Sequence, residues 1–200
     1  MTVEADSRVA AQGKHVVPPS RPLSDDEITF LAALEPLVGT PREAKRLANV
    51  YQMIRATRDL SDTSRFMGDD GHPGDYEAVV VLLGLLSAHA RLLGAVLDSP
   101  PNADGRVSGG LMQRAKTETW SGFVAGMETR RQGQGWSNDI VATMTPLELA
   151  EWRALWAGLQ PVTEMVTLQD LTALHVWAPR IRRFSFVMSP AAKPIKAESP

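Results

Sequence analysis

The residues of this chain best suited to chemistry are Arg42, Arg46 and Asn49, which stand four and three residues apart on a predicted helix. This spacing places all three on one side of the helix. A guanidinium group is planar and always charged, and it binds phosphate or carboxylate oxygens through two parallel hydrogen bonds. The pattern therefore predicts a surface that can hold an anion. The same spacing is also typical of an ordinary amphipathic helix with a solvated basic face, and spacing alone does not separate the two interpretations.

The helix that carries these residues has a clear start signal. Thr40 and Glu43 have the spacing of a capping box, and Pro41 stands at the first helical position, where its missing N–H costs nothing. The opposite side of the helix is an apolar stripe of Ala44, Leu47, Ala48, Tyr51 and Ile54. We therefore expect the stripe to pack into a core and the basic side to remain outside.

The segment Pro41–Arg55 resembles the Pro-Arg-x-x-Lys-Arg-x-x-Asn-x-Tyr helix near the end of KAP-type and related bacterial P-loop NTPases. Two further segments fit the same family: the long apolar stretch Asp75–Leu97, and the ending Val176–Phe186 with its Arg-Phe-Ser-Phe close. The resemblance covers roughly residues 24–186 and implies the helical subdomain that follows the nucleotide-binding core.

In those ATPases the helical subdomain often places an arginine against the terminal phosphate of a nucleotide held by a neighbouring core. By match to the motif, the resemblance makes Arg42 the first candidate for this contact and Arg46 the second. It leaves Asn49 to orient one of the two arginines or to bond to the adjacent loop. The alternative for each residue is surface charge or a structural ion pair.

The phosphate-binding loop itself is missing from the sequence. Gly13-Lys14 is the only Gly-Lys pair, but Arg8 stands where the first glycine of the loop is needed and His15 replaces the hydroxyl residue. No apolar strand ending in Asp-Glu offers a magnesium ligand either. We therefore predict neither catalytic residues, nor a cofactor, nor ATPase activity in the isolated chain. The sequence is interpreted as a non-catalytic helical module that regulates or completes a separate NTPase core.

The amino-acid composition limits the classes of protein to which this chain can belong. Apolar residues make up 44% of the 200 residues and charged residues 22%, the balance of a soluble globular protein. The net charge of −2 argues against binding nucleic acid through bulk charge. The chain has no cysteine, which excludes disulfides and thiolate sites and favours the cytoplasm. The most apolar segment, residues 78–88, is too short to span a bilayer, so no membrane association is expected.

Helical spacing recurs along the chain, and alternation typical of a strand is seen at most over residues 181–187. We predict an all-α fold, an irregular bundle of about six helices over residues 23–188, with disordered tails at 1–22 and 189–200. The first helix starts at a capping box formed by Ser24 and Glu27. The other predicted helices are 41–58, 75–97, 111–131, one opened by a capping box of Thr145 and Glu148, and 167–177 before Pro179, with a polar loop over 58–74. The core is expected to include Leu82, Leu83, Leu86 and Leu93.

Other polar clusters are weaker candidates for a site. Arg180, Arg182 and Arg183 form a secondary basic edge, which we expect to pair with an acidic loop. Asp69, Asp70, His72 and Asp75 concentrate metal-ligand types, but the intervening glycines and proline favour a solvated turn, and no metal site is predicted.

The sequence therefore predicts two classes of partner, a P-loop NTPase core and a second copy of the chain. An alternative function is a helical nucleic-acid-binding protein that uses the helix over residues 41–58 for recognition. The net charge makes nucleic acid the less favoured partner.

Overall fold

The computed structural model describes residues 22–56, 63–69, 72–98, 110–128 and 136–184. Within these ranges the fold is all-α, as predicted. A single two-residue antiparallel ladder in the described ranges pairs β1 (Gly68–Asp69) with β2 (His72–Pro73). The α-helices of the described ranges are α1 (Asp25–Ala33), α2 (Pro41–Ala56), α3 (Thr63–Met67), α4 (Tyr76–Ala88), α5 (Leu93–Asp98), α6 (Trp120–Ala125), α7 (Asn138–Ala142), α8 (Pro146–Met165) and α9 (Thr172–Arg182). Of the predicted tails at 1–22 and 189–200, residues 1–21 and 189–200 lie outside the described residues.

Helix α4 is the centre of the core. Every residue from Tyr76 to Leu86 is buried, so this helix has no side that faces water. Helices α2 and α9 pack against it, and α1 contacts it as well. The four leucines expected in the core are confirmed as buried: Leu82, Leu83, Leu86 and Leu93.

The long helix predicted over residues 75–97 is divided into α4 and α5. Helix α4 stops at Ala88, and His89 leaves the helical conformation with φ −130° and ψ 44°. A turn follows in which the Leu92 N–H donates to the His89 carbonyl oxygen at 2.9 Å. Leu92 and Leu93 are both buried beyond the turn. Because the apolar pattern resumes at Leu92 and Leu93 after the polar residues His89 and Arg91, the two helices were predicted as one.

Two other predicted helix bounds were wrong. Over residues 111–131 the described chain forms only a 3-10 turn at Leu111–Gln113 and the short helix α6. Helix α6 has its own start, because the Gly122 N–H donates to the Thr119 hydroxyl at 3.1 Å. The last helix was expected over residues 167–177, yet α9 begins at Thr172 and continues through Pro179 to Arg182. Residues 181–182 are therefore helical and not part of a strand.

The region predicted as a polar loop over residues 58–74 contributes to the core. Its helix α3 buries Phe66, whose ring stacks on Tyr51 at 6.3 Å and meets Trp177 edge-on at 5.8 Å between ring centroids. Gly74 permits the return of the chain, because a Cβ there would lie 2.4 Å from the Met67 carbonyl carbon. Phe66 thus connects α2 to α9 from within a mostly polar stretch.

Hydrogen-bonded caps open three helices where the sequence placed them. The capping boxes Ser24–Glu27 and Thr145–Glu148 are both complete. At α2 the Glu43 N–H donates to the Thr40 hydroxyl at 3.2 Å. These caps fix where the helices begin and so which residues occupy their first turns.

Glu27 also ties α1 to α2. Its side chain is 0% exposed, its Oε1 accepts a hydrogen bond from the Tyr51 hydroxyl, and the same oxygen lies 3.0 Å from Arg55 Nε. Its second oxygen, Oε2, accepts from the Ser24 N–H at 2.8 Å, the other half of the capping box. One buried carboxylate therefore starts α1 and also holds it against the end of α2, which makes the two helices an antiparallel hairpin.

Substitution of Leu83 by alanine should destabilise the protein by about 2–5 kcal/mol, because the side chain is fully buried and its loss leaves a cavity. Urea unfolding followed by circular dichroism measures the change. Leu147→Ala, at an exposed position on α8 with 70% of its surface accessible, is the matched control and should change the unfolding midpoint little. Equal midpoints for the two variants would contradict the central position of α4.

Substitution of Glu27 by alanine should destabilise the protein by about 3–5 kcal/mol, because it leaves the Arg55 charge without its buried partner. Glu148→Ala removes the equivalent cap residue of α8 at an exposed position and should cost far less. Tyr51→Phe removes only the hydroxyl and should fall between the two. If the Glu27 and Glu148 variants unfold at the same urea concentration, Glu27 acts as a cap alone.

Candidate interaction surface

The outward side of α2 is basic and exposed. Arg42, Lys45, Arg46 and Asn49 all lie on this surface, and Met53 follows with 46% of its side chain accessible. Their spacing of three or four residues keeps them on one side of the helix. The structure thus brings together the three residues predicted from sequence and adds Lys45 and Met53, which fall at the same helical spacing.

The side chain of Arg42 is open to solvent. It is exposed one residue after Pro41, in the first turn of α2. No ion pair joins it to another residue of the described ranges. Arg46 is also exposed but already has an interaction within the chain, and Asn49 is exposed. The guanidinium of Arg42 is therefore exposed on the described surface of α2.

The opposite side of α2 fixes which residues face outward. Of the predicted apolar stripe, Leu47, Tyr51 and Ile54 are buried against the core. Ala48 is half-buried, and Ala44 is exposed, which the prediction did not foresee. Burial and the hydrogen bond to Glu27 raise the pKa of the Tyr51 hydroxyl far above its ordinary value, so it stays protonated and donates. Because Tyr51 and Arg55 both engage Glu27, α2 cannot rotate about its axis without breaking buried polar contacts.

The neighbouring helix α1 has the opposite charge. Asp25 and Asp26 occupy its first turn and are exposed, while Ile28 is 50% accessible. Since Arg55 Nη2 donates to the Pro22 carbonyl oxygen at 3.3 Å, the start of α1 lies beside the end of α2. The hairpin therefore has acidic residues at its open end and basic residues near the turn.

The secondary basic edge on α9 is not a uniform free cluster. The Arg180 guanidinium lies 4.9 Å from the centroid of the Trp177 ring, a cation–π distance. Arg182 forms an ion pair with Asp98 at the end of α5, while Arg183 is exposed. The expected acidic partner is thus a helix end rather than a loop, and this edge is largely structural.

Of the acidic and histidine residues over 69–75, the structure describes only the side chain of Asp75, which helps to hold the fold together. Asp75 accepts a hydrogen bond from Trp177 Nε1 at 3.1 Å and lies 3.5 Å from Arg65 Nε. The side chains of Asp69, Asp70 and His72 lie outside the described part of the structure. Among the described residues, no group of three or more histidine, aspartate or glutamate side chains is arranged to hold a metal ion.

One carboxylate and one histidine show the effect of burial on the pKa. Glu77 is 3% exposed, and burial raises its pKa even though the Thr167 N–H and hydroxyl donate to it at 2.8 and 2.9 Å. Burial lowers the pKa of His89, an effect opposed by Glu151 at 3.6 Å. Each of these groups joins segments far apart in the chain, so their geometry accounts for structure rather than for a reaction.

In the described ranges, no helix has both the length and the apolar character needed to cross a membrane. The chain matches no protein-family model, no curated protein and no solved structure.

Proposed function

We propose that this chain is a non-catalytic helical module that binds an anionic site on a separate protein through the outward side of α2. The observation that carries the proposal is the setting of Arg42, exposed in the first turn of a helix whose other side is locked into the core. A guanidinium held at a fixed angle can pair with a carboxylate or phosphate without a large loss of conformational freedom.

The class of partner that fits best is a P-loop NTPase core. The support is the resemblance of Pro41–Arg55 to the helix of KAP-type NTPases, together with the absence of a phosphate-binding loop from this chain. In this role Arg42 would approach the terminal phosphate of a nucleotide bound by the partner. An arginine so placed stabilises the charge that develops during phosphoryl transfer.

Nucleic acid is a less favoured partner for the same surface. Duplex DNA would meet Arg42 and Lys45, but Asp25 and Asp26 on the adjacent helix would repel its phosphates. The net charge of −2 adds to this repulsion at low salt.

Replacing Arg42 with alanine should abolish the effect of the chain on its partner without unfolding the chain. The experiment titrates purified chain into P-loop NTPases encoded by neighbouring genes and measures ATP hydrolysis, with the chain alone as the baseline. Wild type should change the rate of ATP hydrolysis by a cognate core. Arg42→Ala should reduce this change by a factor of up to about a thousand. Arg42→Lys should restore it only in part, since lysine lacks the bidentate fork.

The matched control is Arg153→Ala, which removes an exposed arginine from α8 and should leave hydrolysis unchanged. Urea unfolding of each variant separates loss of contact from loss of fold. Failure of every neighbouring NTPase to respond, or equal effects of the Arg42 and Arg153 variants, would refute the proposal. Salt-dependent binding to a random duplex, lost on Arg42→Ala, would favour the nucleic-acid alternative.

A further inference from the structure

The exposed charges of the α1–α2 hairpin differ between its two ends. Asp25 and Asp26 are exposed at the open end, and Arg42 and Lys45 are exposed near the turn. Ile28 and Met53, two of the large apolar side chains exposed in the described ranges, lie toward the open end. A surface with acid at one end and base at the other is complementary to itself when rotated by a half-turn.

The dimensions of α2 suit such a pairing. Arg42 and Met53 are separated by eleven residues, or about 16 Å along the helix axis, with Asn49 between them. The contact of Glu27 with Arg55 at 3.0 Å places the start of α1 beside the last turn of α2. Asp25 and Asp26 therefore lie about the length of one short helix from Arg42 and Lys45.

We propose that a second copy of this chain docks on the outward side of the α1–α2 hairpin, with the two α2 helices antiparallel and the two-fold axis near Asn49. In this arrangement Arg42 and Lys45 of one copy pair with Asp25 and Asp26 of the other, and the symmetry makes each contact twice. Met53 packs on the aliphatic stem of Lys45 from the other copy.

The same charge layout favours a second copy over a uniformly anionic occupant. An anionic surface large enough to cover the hairpin would meet Asp25 and Asp26 at its open end. Glu35, exposed near the turn, reduces the positive charge there, while the neighbouring Arg46 adds to it. The contact involves two helices from each copy and so lies at the small end of specific interfaces, which predicts a concentration-dependent dimer.

This inference does not rest on the proposed function, because it concerns the pure chain alone. The two are linked in one respect: a dimer formed in this way covers Arg42. A partner that uses Arg42 must then compete with self-association.

The test is a charge-reversal experiment on the purified chain by sedimentation equilibrium. Wild type should dimerise at micromolar to millimolar concentration, and its Kd should rise about tenfold or more between low and high salt because the contacts are charged. One variant carries Asp25→Lys and Asp26→Lys, and a second carries Arg42→Glu and Lys45→Glu. Each alone should be monomeric, since like charges then face each other.

An equimolar mixture of the two variants should form a heterodimer, because every contact across the two-fold axis again joins opposite charges. This rescue distinguishes loss of the interface from loss of the fold, which lysines in the first turn of α1 would weaken only slightly. The control variant, Arg153→Glu with Glu164→Lys on α8, should dimerise as wild type does. A monomeric wild type at millimolar concentration, a dimer that survives both reversals, or a mixture that stays monomeric would each overturn the proposal.

Discussion

Helix α4 imposes the main constraint on this fold, because it is apolar on every side. A helix that exposes no polar stripe to water must be surrounded by other elements, since each exposed leucine or valine side chain would forfeit about 1.5–3 kcal/mol of burial. Helices α1, α2 and α9 contact it and supply part of this cover. Their outward sides are then free of any packing requirement, which allows α2 to carry a basic surface.

Two buried carboxylates, Glu27 and Glu77, and the half-buried Asp75 determine how the covering helices are oriented. Glu27 holds α1 against α2, while Glu77 and Asp75 at the start of α4 bind Thr167 and Trp177 on distant parts of the chain. Charge-assisted hydrogen bonds offset the cost of removing each carboxylate from water, because they are stronger than hydrogen bonds between neutral groups. An apolar interface tolerates rotation of a helix more easily than such directional contacts do. The contacts of Glu27 with Tyr51 and Arg55 thus determine which residues of α2 are exposed.

Much of the helical framework and of the candidate surface could be predicted from local sequence. Capping residues act within one turn, so Ser24 and Thr145 marked helix starts correctly, and the apolar stripe of α2 predicted which side carries Arg42. Features that depend on distant residues were missed. Phe66 is buried against Tyr51 and Trp177, and the ion pair of Arg182 with Asp98 joins two separate helices. Residues 1–21 and 185–200 lie outside the described ranges.

The burial of α4 has a consequence for synthesis of the chain on the ribosome. Helix α9, which packs against α4, begins at Thr172, whereas α4 is complete at Ala88. At translation rates of about 5–20 residues per second, roughly 4–17 s pass between the completion of α4 and the start of α9. During that interval α4 presents the kind of surface that chaperones bind. A chain released before residue 172 would keep that surface permanently and would tend to aggregate.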